Sequence, residues 1–121
     1  MDPRPVSLAE VVRRAAQIVD PDDEDAIIGD FQRAFEDDDE PVAGLGDVQE
    51  RVSEVLSELD PAVNNGSLSI AGAVTVYLSF RRDELREDPR ELIRLATRAE
   101  WNGEPPAVVV DWLDEHNLTL G

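Results

Sequence analysis

The sequence contains no cysteine and no lysine, and it has only one histidine. Without cysteine, the chain has no disulfide, no thiolate ligand for zinc and no cysteine nucleophile. Without lysine, it cannot form a P-loop, which needs that residue at the phosphates of a nucleotide. No apolar run approaches the ~18 residues of a membrane span, and no apolar segment typical of a signal peptide follows Met1. We therefore expect no membrane attachment and a cytoplasmic location.

Acidic residues dominate what is there. The chain has 28 Asp and Glu against 11 basic residues, all arginine, and its formal net charge is -17. Such a charge repels nucleic acid and anionic membranes, and it also strains the compact state. Two explanations stay open. One is adaptation to concentrated salt, where the Debye length falls to about 3 Å at 1 M. The other is a GC-rich genome, which favours arginine codons over lysine codons.

Residues that commonly begin or end helices are frequent along the chain. Ser7 to Glu10 form a capping box, in which a serine oxygen accepts from a backbone amide of the first turn. Asp47 to Glu50 form a similar start. Asp-Pro pairs end or begin helices because proline has no amide hydrogen and restricts the residue before it. These pairs are Asp20-Pro21, Asp60-Pro61 and Asp88-Pro89.

The predicted helices follow from these residues and from apolar spacing. The second helix is expected to begin near Pro21, with residues 22–25 in its first turn, where acids complement the helix dipole. The fifth covers roughly residues 89–101. A sixth follows Pro105-Pro106, with Asn117 as a left-handed cap and Leu118 folding back on the helix end. We see no repeat of fixed period.

Residues 67–80 fit two patterns. Leu68, Val76 and Leu78 belong to an alternating series that is typical of a strand, whereas Ile70 and Val74 belong to a series of helical spacing. A helix is favoured because no second convincing strand is available to satisfy the backbone groups of a lone one. We therefore predict an all-α single domain, residues 1–121, of about six short helices around a central apolar helix at residues 67–86. Residues 1–6 and 118–121 are expected to form flexible tails.

Motifs that carry chemistry are missing. An EF-hand loop starting at Asp20 would have Asp25 in place of glycine and Phe31 in place of glutamate. No Gly-x-Ser-x-Gly elbow occurs, and His116 has no partner at metal-binding spacing. Trp101 and Trp112 are expected to anchor the core. We predict no catalytic residues, no metal and no cofactor.

Two charged surfaces are candidate partner sites. Arginines recur at every fourth position around the fifth helix, where they form an anion-binding surface or are neutralised internally by nearby acids. They are Arg82, Arg86, Arg90, Arg94 and Arg98. The segment 20–60 holds sixteen acids and two arginines. Its candidate residues for a basic partner are Asp22, Asp23, Glu24, Asp25, Asp37, Asp38, Asp39 and Glu40.

Three functions are compatible with these patterns. The favoured one is a non-catalytic protein–protein interaction module, with either another protein or a second copy of the chain as the partner. The second is an acidic mimic of nucleic acid that inhibits a basic protein. The third is a DNA-associated regulator that uses the arginines, although the acids of the last helix oppose DNA and make nucleic acid the less favoured partner.

Overall fold

A computed structural model describes residues 7–22, 24–37, 48–62, 64–80 and 88–118. These residues form six α-helices and no β-strand, as the sequence predicts. The helices are α1 (Leu8–Val19), α2 (Ala26–Ala34), α3 (Val48–Leu59), α4 (Gly66–Phe80), α5 (Pro89–Trp101) and α6 (Ala107–Glu115).

The central helix is α4, which packs against each of the other five helices. Its fifteen residues include no charged side chain, and most of them are buried. The strand alternative for residues 67–80 is therefore excluded, because the helix satisfies its own backbone groups where a lone strand could not. Residues 81–86, which were expected to continue this helix, lie outside the described residues.

The hydroxyl groups buried in the core have local partners. Thr75 donates to the carbonyl oxygen of Ala71 at 2.8 Å, and Ser79 donates to that of Thr75 at 2.7 Å. In α5, Thr97 donates in the same way to Ile93 at 2.6 Å. Each hydroxyl thus avoids the cost of an unpaired polar group in an apolar core.

The connections α1–α2 and α3–α4 are built alike. The carboxylate of Asp20 accepts from the amides of Glu24 and Asp25 at 3.1 and 2.9 Å. The carboxylate of Asp60 accepts from the amides of Asn64 and Asn65 at 3.0 and 2.8 Å. The two hairpins therefore repeat at an offset of 40 residues, a period that the sequence reading missed because the helices share few identical residues.

These hydrogen bonds explain why the predicted start of α2 was wrong. Residues 22–25 were expected in its first turn, but the helix begins at Ala26 and its first turn has no acid. The amides of Glu24 and Asp25 donate to the Asp20 carboxylate, so that these residues belong to the turn before α2. The side chain of Asp25 then caps the helix by accepting from the amide of Ile27 at 3.2 Å.

The predicted ends of α1, α5 and α6 agree with the structure. Ser7 accepts from the amide of Glu10, and α5 spans the predicted residues 89–101. Asn117 has a φ of 56°, and the amide of Leu118 donates to Leu113 at 2.8 Å. Leu118 is buried and belongs to the folded part of the chain, whereas residues 1–6, 119–121 and the predicted cap Asp47 lie outside the described residues.

Candidate functional site

A groove runs along α4 between α3 and α5. Its first section is a cavity of ≈ 210 Å³ whose walls include Leu56 of α3, Val76 of α4 and Trp101 at the end of α5. A second section of ≈ 340 Å³ shares Val76 and continues to Tyr77 and Phe80. We call these two sections together the α4 groove. The volume of each section exceeds the ~150 Å³ of a cavity that holds a benzene molecule.

Phe80 closes the groove at the C-terminal end of α4. Its side chain is 71% exposed, and Val110 on α6, at 39%, is the other large apolar residue that is exposed among the described residues. A phenylalanine of this exposure leaves more than 100 Å² of apolar surface, roughly, in contact with water. Since Phe80 adjoins an apolar groove, the exposed surface is continuous and is not an isolated side chain.

The groove owes its shape to small residues on α4. Gly72 is buried where α3 crosses, and a Cβ atom at this position would lie 2.7 Å from Cδ1 of Leu56. The absence of that atom brings α3 down onto α4. Ala73, four residues before Tyr77, lines both sections and leaves the space above the helix open. Gly72 thus allows α3 to pack closely on α4, and Ala73 leaves the groove beside that contact open.

Acidic side chains border this groove. Asp60 and Glu100 line its first section, and Glu100 also lines its second. Glu50 and Glu54 lie beside Gln49 and Ser53, two α3 residues that face the groove. Within the part of the chain that the structure describes, no arginine lines either section. The described part of the α4 groove therefore combines apolar side chains with acidic side chains at its border.

Comparison with known proteins finds no matching family model, no similar curated protein and no similar solved structure. The geometry of the chain itself is therefore the basis for any functional conclusion. Among the described residues, no three His, Cys, Asp or Glu side chains are grouped so that they could hold a metal ion. In the same residues, no helix has the length and apolar character required to cross a membrane.

The structure places Arg90 and Arg94 of α5 in a pocket that shares no described lining residue with the α4 groove. Arg90 donates to the carbonyl oxygens of His116 and Asn117 at 3.3 and 2.7 Å, at the C-terminal end of α6. Arg94 pairs with Glu91 at 3.1 Å, while its Nε atom is buried and has no hydrogen-bond partner. Arg90 and Arg94 line a pocket together, whereas Arg98 is exposed and is not among the residues that line it.

Arg82 and Arg86, the remaining members of the predicted arginine surface, lie outside the described residues. Of the two arginines that line the pocket, Arg94 pairs with an acid, Glu91, whereas the partners of Arg90 are backbone carbonyl oxygens. Arg90 stabilises a helix terminus, where cations complement the dipole, and Arg94 is paired on its own helix.

The predicted acidic surface is described only in part. Asp22, Glu24 and Asp37 are exposed to solvent, whereas the carboxylate of Asp25 is used to cap α2. Asp23, Asp38, Asp39 and Glu40 lie outside the described residues. The acids at the border of the α4 groove are a different set, and three of them come from α3 and α5.

The two tryptophans differ in their surroundings. Trp112 is buried and stacks on His116, with ring centroids 3.9 Å apart, and the Nδ1 atom of His116 lies 2.8 Å from the carbonyl oxygen of Trp112. Trp112 is thus a core residue, as expected. Trp101 is only half-buried and lines the groove.

Sequence reasoning missed the groove as a site. Val76 belonged to the alternating series of residues 67–80 that was set aside in favour of a helix, and neither Phe80 nor Ala99 was assigned to a site, yet both are exposed and line the second section. One signal was available. Residues 67–80 are more apolar than a domain of this size needs, which was the reason to expect a second copy of the chain as a partner.

Proposed function

We propose that this chain is a non-catalytic protein-binding module whose docking surface is the α4 groove. The observation that carries the proposal is the 71% exposure of Phe80 beside that groove. Exposing a large aromatic side chain next to further apolar surface costs solubility, and such surfaces commonly mark interaction sites. A partner that covered this ring and filled the adjoining cavities would bury an aromatic anchor of the kind that dominates interface energies.

The proposal includes a cytoplasmic location, which the absence of cysteine supports. It also treats the acidity as an adaptation to a salt-rich interior. DNA association is the weaker alternative, because Arg90 directs both terminal nitrogens to the backbone oxygens of His116 and Asn117, just beyond α6. Among the described residues of the predicted acidic surface, the exposed acids Asp22, Glu24 and Asp37 support the alternative of an acidic mimic.

Site-specific photo-crosslinking tests the proposed surface. Phe80 is replaced by p-benzoylphenylalanine, and the matched control carries the same replacement at Val110, the other exposed large apolar residue. In cells of the source organism, the probe at position 80 is expected to give a discrete crosslinked protein. Excess unmodified protein should suppress the crosslink, whereas the Phe80→Ser variant should not. Equal crosslinking from positions 80 and 110 would contradict the proposed surface.

A second copy of the chain is the simplest alternative partner for the same surface. Light scattering distinguishes it, because a self-associating groove gives a dimer that Phe80→Ser dissociates. If the wild-type chain is a monomer at about 100 µM, a concentration far above the Kd of a stable dimer, the second copy is excluded.

A further inference from the structure

We propose that the occupant of the α4 groove is a basic amphipathic helix of the partner protein. This inference rests on the proposed function and adds the chemical class of the partner. Three properties of the groove carry it: its length, the spacing of its two cavities along α4 and the sign of the charge along its border.

The length of the groove fits a short helix. Its α4 residues run from Leu68 to Phe80, a distance of about 18 Å at the rise of an α-helix. A bound helix covers that distance with about three turns. Helices that lie in grooves insert apolar anchors at positions i, i+3 or i+4, and i+7. The two cavities of ≈ 210 and ≈ 340 Å³ offer two consecutive places for such anchors, and the exposed ring of Phe80 lines the second of them.

The acidic side chains at the border of the groove favour a bound helix with positive charge. Glu50 and Glu54 lie on the surface of α3 next to Gln49 and Ser53, which line the groove, and Glu100 of α5 lines the groove itself. Asp60 lies at the end near Trp101. An amphipathic helix with its apolar face on α4 would direct its flanking side chains toward both borders. Lysine or arginine at those flanks would meet carboxylates, whereas acids there would be repelled.

The same border opposes a second copy as the occupant. In a two-fold symmetric dimer the same surface of each chain faces its counterpart, so that the acids of one groove would approach those of the other. Each chain also carries a formal net charge of -17. A helix of opposite charge avoids both repulsions.

Two labelled peptides test the inference by fluorescence anisotropy. Each has about 18 residues, enough to cover the groove, and the same leucine face at helical spacing. The first carries lysine at the flanking positions and the second carries glutamate. A third peptide has the composition of the first in scrambled order and controls for attraction by net charge alone. We expect the lysine peptide to bind at least about tenfold more tightly than either of the others.

Matched protein variants locate the binding. Glu54→Gln with Glu100→Gln removes two border charges, and Asp111→Asn with Asp114→Asn removes two exposed charges on α6. We expect about fivefold weaker binding for the first pair and less than about twofold for the second. Phe80→Ser should weaken binding about tenfold or more, whereas Val110→Ser should have no effect.

The outcomes separate the two proposals. If both leucine-faced peptides bind equally and Phe80→Ser weakens both, the groove is a docking surface and the basic partner is wrong. If no peptide binds, or if the scrambled peptide binds as tightly as the lysine peptide, the groove itself fails as a helix-binding site. Equal effects of the two charge-removing pairs would overturn the role of the border.

Discussion

Asp20 and Asp60 lie at equivalent places in two successive helical hairpins, and each carboxylate accepts from the backbone amides four and five residues further along. Each aspartate follows the last residue of a twelve-residue helix and precedes a proline. The proline prevents the helix from continuing, and the carboxylate satisfies the amides that the chain exposes when it turns. The two residues thus set the geometry by which α1 meets α2 and α3 meets α4.

We predict that Asp20→Ala and Asp60→Ala each lower the free energy of unfolding by about 1–2 kcal/mol, because two backbone amides lose their acceptor. Urea denaturation followed by circular dichroism measures the change. Asp22→Ala is the control, since Asp22 is exposed and is expected to change stability by less than about 0.5 kcal/mol. Equal stability of all three variants would show that the carboxylates do not organise the turns.

Gly66 is predicted to be intolerant of any side chain. A Cβ atom here would lie 2.5 Å from the carbonyl oxygen of Val108 and 2.9 Å from Cβ of Trp112, and backbone atoms of α6 cannot move aside cheaply. We expect Gly66→Ala to destabilise the protein by about 1–3 kcal/mol despite the better helix propensity of alanine. In Gly29→Ala the new atom would only contact the end of the Arg33 side chain at 3.7 Å. That variant should have a free energy of unfolding about 0.5–1 kcal/mol higher than the wild-type chain. Urea denaturation of both variants measures the two changes.

Arg90 is predicted to stabilise the end of α6. Its guanidinium donates to the carbonyl oxygens of His116 and Asn117, which have no partner within the helix. Arg90→Ala should lower the free energy of unfolding by about 1 kcal/mol. Arg33→Ala is the control, because the pair between Arg33 and Asp30 is exposed on both sides and contributes little. If Arg90→Ala leaves stability intact but abolishes a gel shift of duplex DNA at about 50 mM salt, the DNA-associated alternative would be preferred.

Phe80 is predicted to matter for binding and not for folding. Because its ring is mostly exposed, Phe80→Ser should change the free energy of unfolding by less than about 0.5 kcal/mol. Phe31 is fully buried, and its ring meets that of Phe35 edge to face with ring centroids 5.3 Å apart. Phe31→Ala should therefore lower the free energy of unfolding by about 3–5 kcal/mol. Chemical denaturation compares the two. A large loss of stability in Phe80→Ser would assign its ring to the core and remove it as a docking residue.

Salt is predicted to stabilise this protein. With a formal net charge of -17, the folded chain repels itself, and salt at about 2 M screens that repulsion over distances of a few ångströms. We expect the melting midpoint in about 2 M KCl to exceed that in about 0.1 M by more than about 5 °C beyond the shift of a neutral control protein. A shift equal to that of the control would favour codon usage as the origin of the acidity.

The sequence by itself determined the helices and most of their ends. Proline, aspartate and asparagine act within a few residues, so that the caps at Ser7 and Asn117 and the bounds of α5 could be predicted from local chemistry. The choice of helix for residues 67–80 also followed from the sequence, because a strand would have had no partner. The start of α2 was wrong, since the Asp20 carboxylate competes for amides that propensity alone assigns to the helix.

Only the tertiary structure decided where the candidate site lies. The α4 groove depends on how closely α3 approaches Gly72, and on the separation that this leaves between α3 and α5. It brings together Gln49 and Glu100, which are far apart in the chain, and it leaves Phe80 exposed at the end of a mostly buried helix. Periodicity predicts which side of a helix is apolar. It cannot predict which part of that side the neighbouring helices leave uncovered, because packing between helices sets that coverage.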